Sequence, residues 1–367
     1  MIDSSTFIVR LERALALKEA FVLYRKPGSN TLKSYYPSEI KISERDKLVG
    51  SGFVFSPFDS SGQTVLFSSD SCEIKETKWS QEDDHFGNKG NPVQASIRTE
   101  DRSSTNKAAK ENHIKLIGET IDFLKEKEVA KVVLSRREEL ECKSIRPLEI
   151  FFRMATNYPH AFVYLWYHPD IGMWAGASPE TLLQGSGQKF KTMALAGTQV
   201  FKGDMKVAWG EKEKREQALV TAQIERELAG YLTNVGHAYT TKAGNLLHLQ
   251  TDIQGFNDKD TNLAKIIQKL HPTAAVCGFP RRPAYDFILK KEGYSRDYYA
   301  GFLGELRAPN QTDFHLFVNL RCMRLFPDEH KVWIYVGGGI TDSSSPEAEW
   351  EETVAKSKTM KSVLQSQ

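Results

Sequence analysis

A lysine in a strand-like run and two pairs of glutamates at helical spacing are the groups in this chain that could do chemistry together. Lys131 stands in KVVLSR (131–136), where alternation puts Val129, Lys131, Val133 and Ser135 on one face of an extended strand and Val132 and Leu134 on the other. A lysine among β-branched neighbours loses hydration, which favours the neutral amine and brings its pKa towards that of a general base. On this run alone, an edge-strand lysine whose stem snorkels to water is the commoner arrangement. Glu213 and Glu216 lie three apart in one helical stretch, as do Glu349 and Glu352 in another, so each pair can share a helix face. Hard oxygen ligands in this number suit Mg²⁺, which keeps several waters and takes one or two carboxylates directly. Either pair alone more often sits on a solvated face, because both stretches are rich in charge.

Elements that could hold an anion lie nearby in sequence. Gly337-Gly338-Gly339 follows the apolar strand run Trp333–Val336, and three glycines let backbone N–H groups approach a carboxylate closely. A glycine triplet is, however, usually a turn. Ser345 and Pro346 mark the start of the second acidic helix, which also carries Lys356 on nearly the same face as Glu349. Arg321, in a run otherwise apolar (Phe317, Val318, Leu320), has the fork geometry for a bidentate carboxylate contact or for a structural ion pair. His248 in LLHLQT reads equally as a satisfied core histidine, and Glu180 after Pro179 as a helix-start residue.

The elements that must position these groups are legible in outline. Helical patterns cover 6–19, 108–127, 147–156, 209–235, 260–270, 281–291 and 346–364. Strand patterns cover 20–24, 52–55, 64–67, 129–136, 161–167, 171–175, 181–185, 190–195, 299–307, 314–325 and 331–337. Clustered strands with long helical insertions and no regular βαβ alternation predict an α+β layered fold rather than a doubly wound sheet. Residues 80–107 are polar and rich in Asp, Gly, Asn and Ser, and read as a mobile loop. The expected organisation is a single catalytic domain over 1–367, with a less typical N-terminal part (1–105) and a catalytic core over 108–364.

Bulk properties narrow the partners. With 49 basic and 47 acidic residues in 367 and no basic block interleaved with aromatics, nothing suggests nucleic acid. Four separated cysteines without C-x-x-C spacing fit reduced thiols better than zinc or disulfides. The N-terminus lacks the pattern of a signal peptide, and no apolar run approaches the roughly 20 residues that span a bilayer. The expectation is a cytoplasmic protein without membrane contact, and a monomer.

Taken in order, the motifs resemble the chorismate-utilising enzymes: isochorismate synthase, salicylate synthase, anthranilate synthase component I and aminodeoxychorismate synthase. They are KVVLSR (131–136), GASPETLL (176–183), LAGT (195–198), EKEKREQALV (211–220), LLHLQT (246–251), HPTAAVCGFP (271–280), YAGFLGEL (299–306), NLRCMRL (319–325) and VGGGITDSSSPEAEWEETVAKS (336–357). The resemblance runs over about two thirds of the chain and implies two large β-sheets packed face to face with helices outside. It implies Mg²⁺ on Glu216 and Glu352, with Glu213 and Glu349 acting through water or outer contacts. Gly197, Thr198, His248, Ala275, Arg321, Gly337, Gly338 and Lys356 would lie against the substrate, a dianion. Where the family usually has His after the first metal glutamate, this chain has Gln217.

Two positions narrow the family. Lys131 stands where amine-adding members carry a glutamine-type residue, and lysine there implies water activation. Ala196 stands where aminodeoxychorismate synthases carry an attacking lysine, so that covalent route is absent. No glutaminase segment or tryptophan-sensing N-terminal motif is recognisable, so no amidotransferase partner is expected. The resemblance therefore implies Lys131 as base and Glu180 as acid in converting chorismate to isochorismate. Tyr299 and Leu320 resemble menaquinone-pathway members more than some siderophore-pathway ones. Salicylate synthase, with pyruvate elimination in the same site, is the alternative, and a non-catalytic chorismate binder is the reading from another class.

Overall fold

Strands such as Phe162–His168 are apolar on both faces, and two apolar faces require two covering layers. The computed structural model, which describes residues 1–43, 48, 50–80, 103–243, 246–256, 263–306 and 313–364, supplies both. Phe162, Tyr164 and Trp166 point towards a second sheet, while Val163 and Leu165 point towards helices.

Among the described residues one sheet has nine strands. Their order across it is Gly278–Phe279, Lys131–Glu141, Lys331–Ile340, Cys322–Phe326, Gly172–Ser178, Phe162–His168, Phe21–Arg25, Thr31–Pro37 and Cys72–Lys78. The other runs Leu232–Val235, Leu246–Phe256, Lys189–Val200, Thr181–Ser186, Asp313–Val318, Phe302–Leu306, Gly52–Ser56, Thr64–Ser68 and Lys41–Ser43. Tyr239–Ala243 also pairs with Leu246–Phe256. The pairings are antiparallel, and both sheets draw strands from the first 80 residues and from the rest. Aromatic rings fill the space between the sheets: Phe55 lies 4.7 Å from Trp166, and Phe162 lies 4.3 Å from Phe317. On the outer face of the nine-stranded sheet, Phe7 and Leu11 of Ser4–Ala16, Phe151 and Met154 of Pro147–Asn157, and Met360 and Val363 of Pro346–Leu364 bury a second apolar layer. The α+β fold with two packed sheets and outer helices is the observed one.

Several expected elements change. The run 314–325 is two strands, Asp313–Val318 and Cys322–Phe326, which belong to different sheets. Arg321 therefore lies in the crossing between them, not in a strand, with φ +48°. The long helix 209–235 is Glu211–Glu227, and after the positive-φ Gly230 the chain returns as strand Leu232–Val235. The glycine triplet is neither turn nor loop, since the strand Lys331–Ile340 continues through it, paired with Val133–Ser135. The strands Thr31–Pro37, Cys72–Lys78, Tyr239–Ala243 and Leu246–Phe256 were not expected from periodicity. Part of the expected loop 80–107 lies outside the described residues, while the helix that follows it begins at Ser103 rather than 108. Among the described residues, no helix is long and apolar enough to cross a membrane.

Candidate active site

The chain passes between the sheets twice at one place. It leaves Gly172–Ser178 and enters Thr181–Ser186 through Pro179-Glu180, and it leaves Asp313–Val318 and enters Cys322–Phe326 through Asn319-Leu320-Arg321. The crossings are stitched together, because Val318 N–H donates to Glu180 O (3.0 Å) and Ala177 N–H to Arg321 O (3.1 Å). A carboxyl and a guanidinium are thereby fixed at the edge of one cavity. Lys131, Glu180, Gly197, Thr198, Glu216, His248, Ala275, Arg321, Gly337, Gly338, Glu352 and Lys356 all line it. Of the residues expected in the site, Glu213 and Glu349 do not. Glu213 packs its Cβ beside Gly197 and turns Oε2 back towards Gly210 at the helix start. Glu349 is only 1% exposed, and its Oε2 would lie 3.4 Å from a methyl on the cavity-lining Gly338.

Lys131 opens its strand and is 2% exposed, with Nζ 3.3 Å from Glu216 Oε2. Gly339 faces this pair: a methyl there would lie 2.6 Å from Lys131 Cε and 2.9 Å from Glu216 Oε2, so only glycine leaves room. Glu180 is 3% exposed. Burial pushes its pKa up to about 8, against the opposing pull of Lys131 and Arg321. A carboxyl with that pKa is largely protonated at neutral pH and can donate.

Arg321 is oriented by His248, whose role shows in its partners. His248 Nδ1 lies 2.8 Å from Gly197 O, and a carbonyl only accepts, so Nδ1 carries the hydrogen. Nε2 is then free to accept from Arg321, 2.8 Å away. Burial, and then the Arg321 charge, push the His248 pKa down to about 3, which keeps the ring neutral and this relay intact. Gly197 contributes its carbonyl from a β-bulge between Ala196 and Gln199, where its φ of +69° suits glycine. Lys356 Nζ reaches Glu352 Oε1 (2.7 Å) and Gly337 O (2.9 Å).

Beneath the floor, Glu292 accepts from the Ser135 N–H (2.7 Å) and pairs with the buried Arg296. Arg296 donates to Val133 O (2.7 Å) and Val276 O (2.8 Å), tying the Lys131 strand to the loop that carries Ala275. Gln217 Nε2 donates to Ala194 O and Thr251 Oγ1, both at 3.0 Å, fastening the acidic helix to two strands of the other sheet.

Among the described residues, no three His, Cys, Asp or Glu side chains stand at ligand spacing for a metal. Lysines hold the carboxylates apart: Lys131 on Glu216, Lys356 on Glu352, and Lys212 on Glu349. Mg²⁺ needs only one or two protein carboxylates, with waters and ligand oxygens completing its shell. Glu216 and Glu352 meet that need, since they border adjacent residues of one strand, Gly339 and Gly338; a methyl on Gly338 would lie 3.9 Å from Glu352 Oε1 and 3.4 Å from Glu349 Oε2. Beside them the buried Glu349 Oε2 has no hydrogen-bond partner, an oxygen left to face a cation or its water. The donor set fits Mg²⁺.

Periodicity missed Lys212, which lies one turn before Glu216 and 3.7 Å from its Oε1. The i,i+4 spacing was a usable signal, hidden in a run of alternating charges. It also missed Tyr335 and Met360, which line the cavity from the strand Lys331–Ile340 and the helix Pro346–Leu364.

Comparison with known proteins agrees with this geometry. Residues 63–365 match the family model described as chorismate binding enzyme. The vibriobactin-specific isochorismate synthase of Vibrio cholerae is 31% identical over 249 residues, covering 63% of this chain and 61% of that protein. Isochorismate synthase EntC of Escherichia coli is 29% identical over 249 residues, covering 65% and 63%. The matched part is thus less than two thirds of the length of these curated relatives. The crystal structure of MenF, the menaquinone-specific isochorismate synthase of Escherichia coli, superposes with a TM-score of 0.73 at 20% identity, over 94% of this chain and 89% of that one.

Proposed function

The chain belongs to the chorismate-binding enzyme family, and from that membership we propose that it is an isochorismate synthase. What carries the proposal is that Lys131 and Glu180, one group suited to accept a proton and one to donate it, are buried in the walls of the same cavity. In this reading Lys131 Nζ takes a proton from water as the water oxygen bonds to C2 of chorismate. Glu180 gives its proton to the C4 oxygen as that C–O bond breaks, and the ring double bonds shift between the two carbons. Arg321, held by neutral His248, and Lys356 engage the substrate's carboxylate charge. Mg²⁺ would be held by Glu216 and Glu352 and would supply positive charge for the ring carboxylate. Ala196 presents only a methyl group to the cavity, so no amine attacks from that wall.

Incubation of the protein with chorismate and Mg²⁺ in ammonium buffer, resolved by HPLC, should give isochorismate in reversible equilibrium with chorismate. Dominant anthranilate, or salicylate with pyruvate at neutral pH, would place the chain on another branch. Unchanged chorismate would favour the non-catalytic binder. We further propose that the enzyme acts as a monomer without a glutaminase subunit. We also place its product in menaquinone synthesis, on Tyr299 and Leu320, both of which line the cavity. Normal menaquinone in a deletion strain with no second isochorismate synthase would overturn that assignment.

A further inference from the structure

Three glutamates from two helices meet at the cavity wall, and each has a lysine against it. Lys131 pairs with Glu216 at 3.3 Å and Lys356 with Glu352 at 2.7 Å. Lys212 contacts Glu349 and stands 3.7 Å from Glu216 Oε1, so it bridges the two acidic helices. Lys131 and Lys356 line the cavity and have work there in the proposed reaction, whereas Lys212 does not line it. Ser344 Oγ donates to Glu349 Oε1 (2.7 Å), while Glu349 Oε2, buried and unpartnered, shows that this carboxylate is held in place with acceptor capacity to spare.

We propose that Lys212 is the resident counter-ion of this carboxylate cluster, and that its charge makes divalent cation and dianionic substrate bind together rather than singly. The inference rests on the Mg²⁺-dependent reading above. With Lys131 the neutral base of the proposed reaction, the three carboxylates stand against the charges of Lys212, Lys356 and the cavity-lining Arg321, and without ligands these sum to zero. A cation alone brings the cluster to +2 and a dianion alone to −2, and both excesses are penalised in a half-buried site. The pair restores zero. Remove Lys212 and the balance starts at −1, so a lone cation is met by net attraction while a lone dianion meets net repulsion. Opposite effects on the two ligands are the signature of a charge role. A lysine that only splinted the helices would, when lost, weaken both or neither.

Lys212→Met keeps the aliphatic stem and suits a helix, and Lys212→Arg keeps the charge. Calorimetric titration of MgCl₂ alone should show Lys212→Met binding about tenfold or more tightly than wild type, the effect of one unit charge at a few ångströms in a partly solvated site. Chorismate titrated in EDTA should bind more weakly by a similar factor, and the mutual enhancement measured with both ligands should shrink. Lys212→Arg should match wild type. Melting curves establish that both variants are folded, and Lys212→Gln replaces the methionine variant if it is not. Mg²⁺ affinity within about twofold of wild type, or a shift in the same direction for both ligands, overturns the proposal. Wild-type protein that binds no Mg²⁺ with or without chorismate, and turns none over, instead overturns the metal-dependent reading and the proposal with it.

Discussion

Lys131→Ala should fold and still bind chorismate with Mg²⁺, yet lose turnover by roughly 100-fold or more, the usual cost of removing a general base. The expectation comes from position: Lys131 opens the strand next to the sheet's edge, is almost wholly buried, and faces the cavity beside Glu216. Loss of the lysine also leaves Glu216 without that partner, so the variant should melt lower than wild type. The fold survives because the aromatic layer between the sheets does not include this side chain. Lys131→Gln, closer in shape, should be equally inactive. Steady-state kinetics with circular dichroism checks both, and turnover close to wild type in either would remove the proposed base.

Glu216→Ala and Glu352→Ala should each abolish activity at ordinary Mg²⁺, because each removes a direct oxygen ligand from a hard cation with few protein ligands. Both carboxylates line the cavity, from different helices. Glu349→Ala should do less, since its carboxylate is held by Lys212 and Ser344 and does not line the cavity, so it would orient rather than coordinate. Glu213→Ala should do least, because Glu213 turns towards the start of its own helix. Activity assays across a Mg²⁺ series, with calorimetric titration of chorismate with and without Mg²⁺, measure this order. Full activity of wild type in EDTA, with equal chorismate affinity in both titrations, would reduce these glutamates to a structural set.

The cavity residues were legible because their chemistry is carried by residue type and motif order, not by packing. Lys131, Glu216, Glu352 and Lys356 could be placed from spacing and resemblance before any geometry was known. What could not be read was how the chain brings them together. The run Phe314–Phe326 is mostly apolar on both sides of Asn319, so nothing local marks the switch from one sheet to the other. That switch is what puts Arg321 opposite Glu180. Cys72–Lys78 carries charge at Glu73, Lys75, Glu76 and Lys78 because it is an edge strand, half exposed, and so lacks the apolar signal of a central one. The strand Leu246–Phe256 alternates well, yet its first residues attracted attention as a motif rather than as structure. Only the i,i+4 spacing of Lys212 to Glu216 was readable, since its contact with Glu349 spans 137 positions. The relay from Gly197 through His248 to Arg321 depends on a bulge, which composition alone does not announce.

The central claim is that Lys131 activates water for addition at C2. Turnover of chorismate with Mg²⁺ in H₂¹⁸O, followed by mass spectrometry of the isochorismate formed, tests it most directly. One ¹⁸O atom in the product, at the new hydroxyl, is the predicted result. Isochorismate formed without label would mean that the C4 hydroxyl migrates within the substrate, and Lys131 would then have no water to activate.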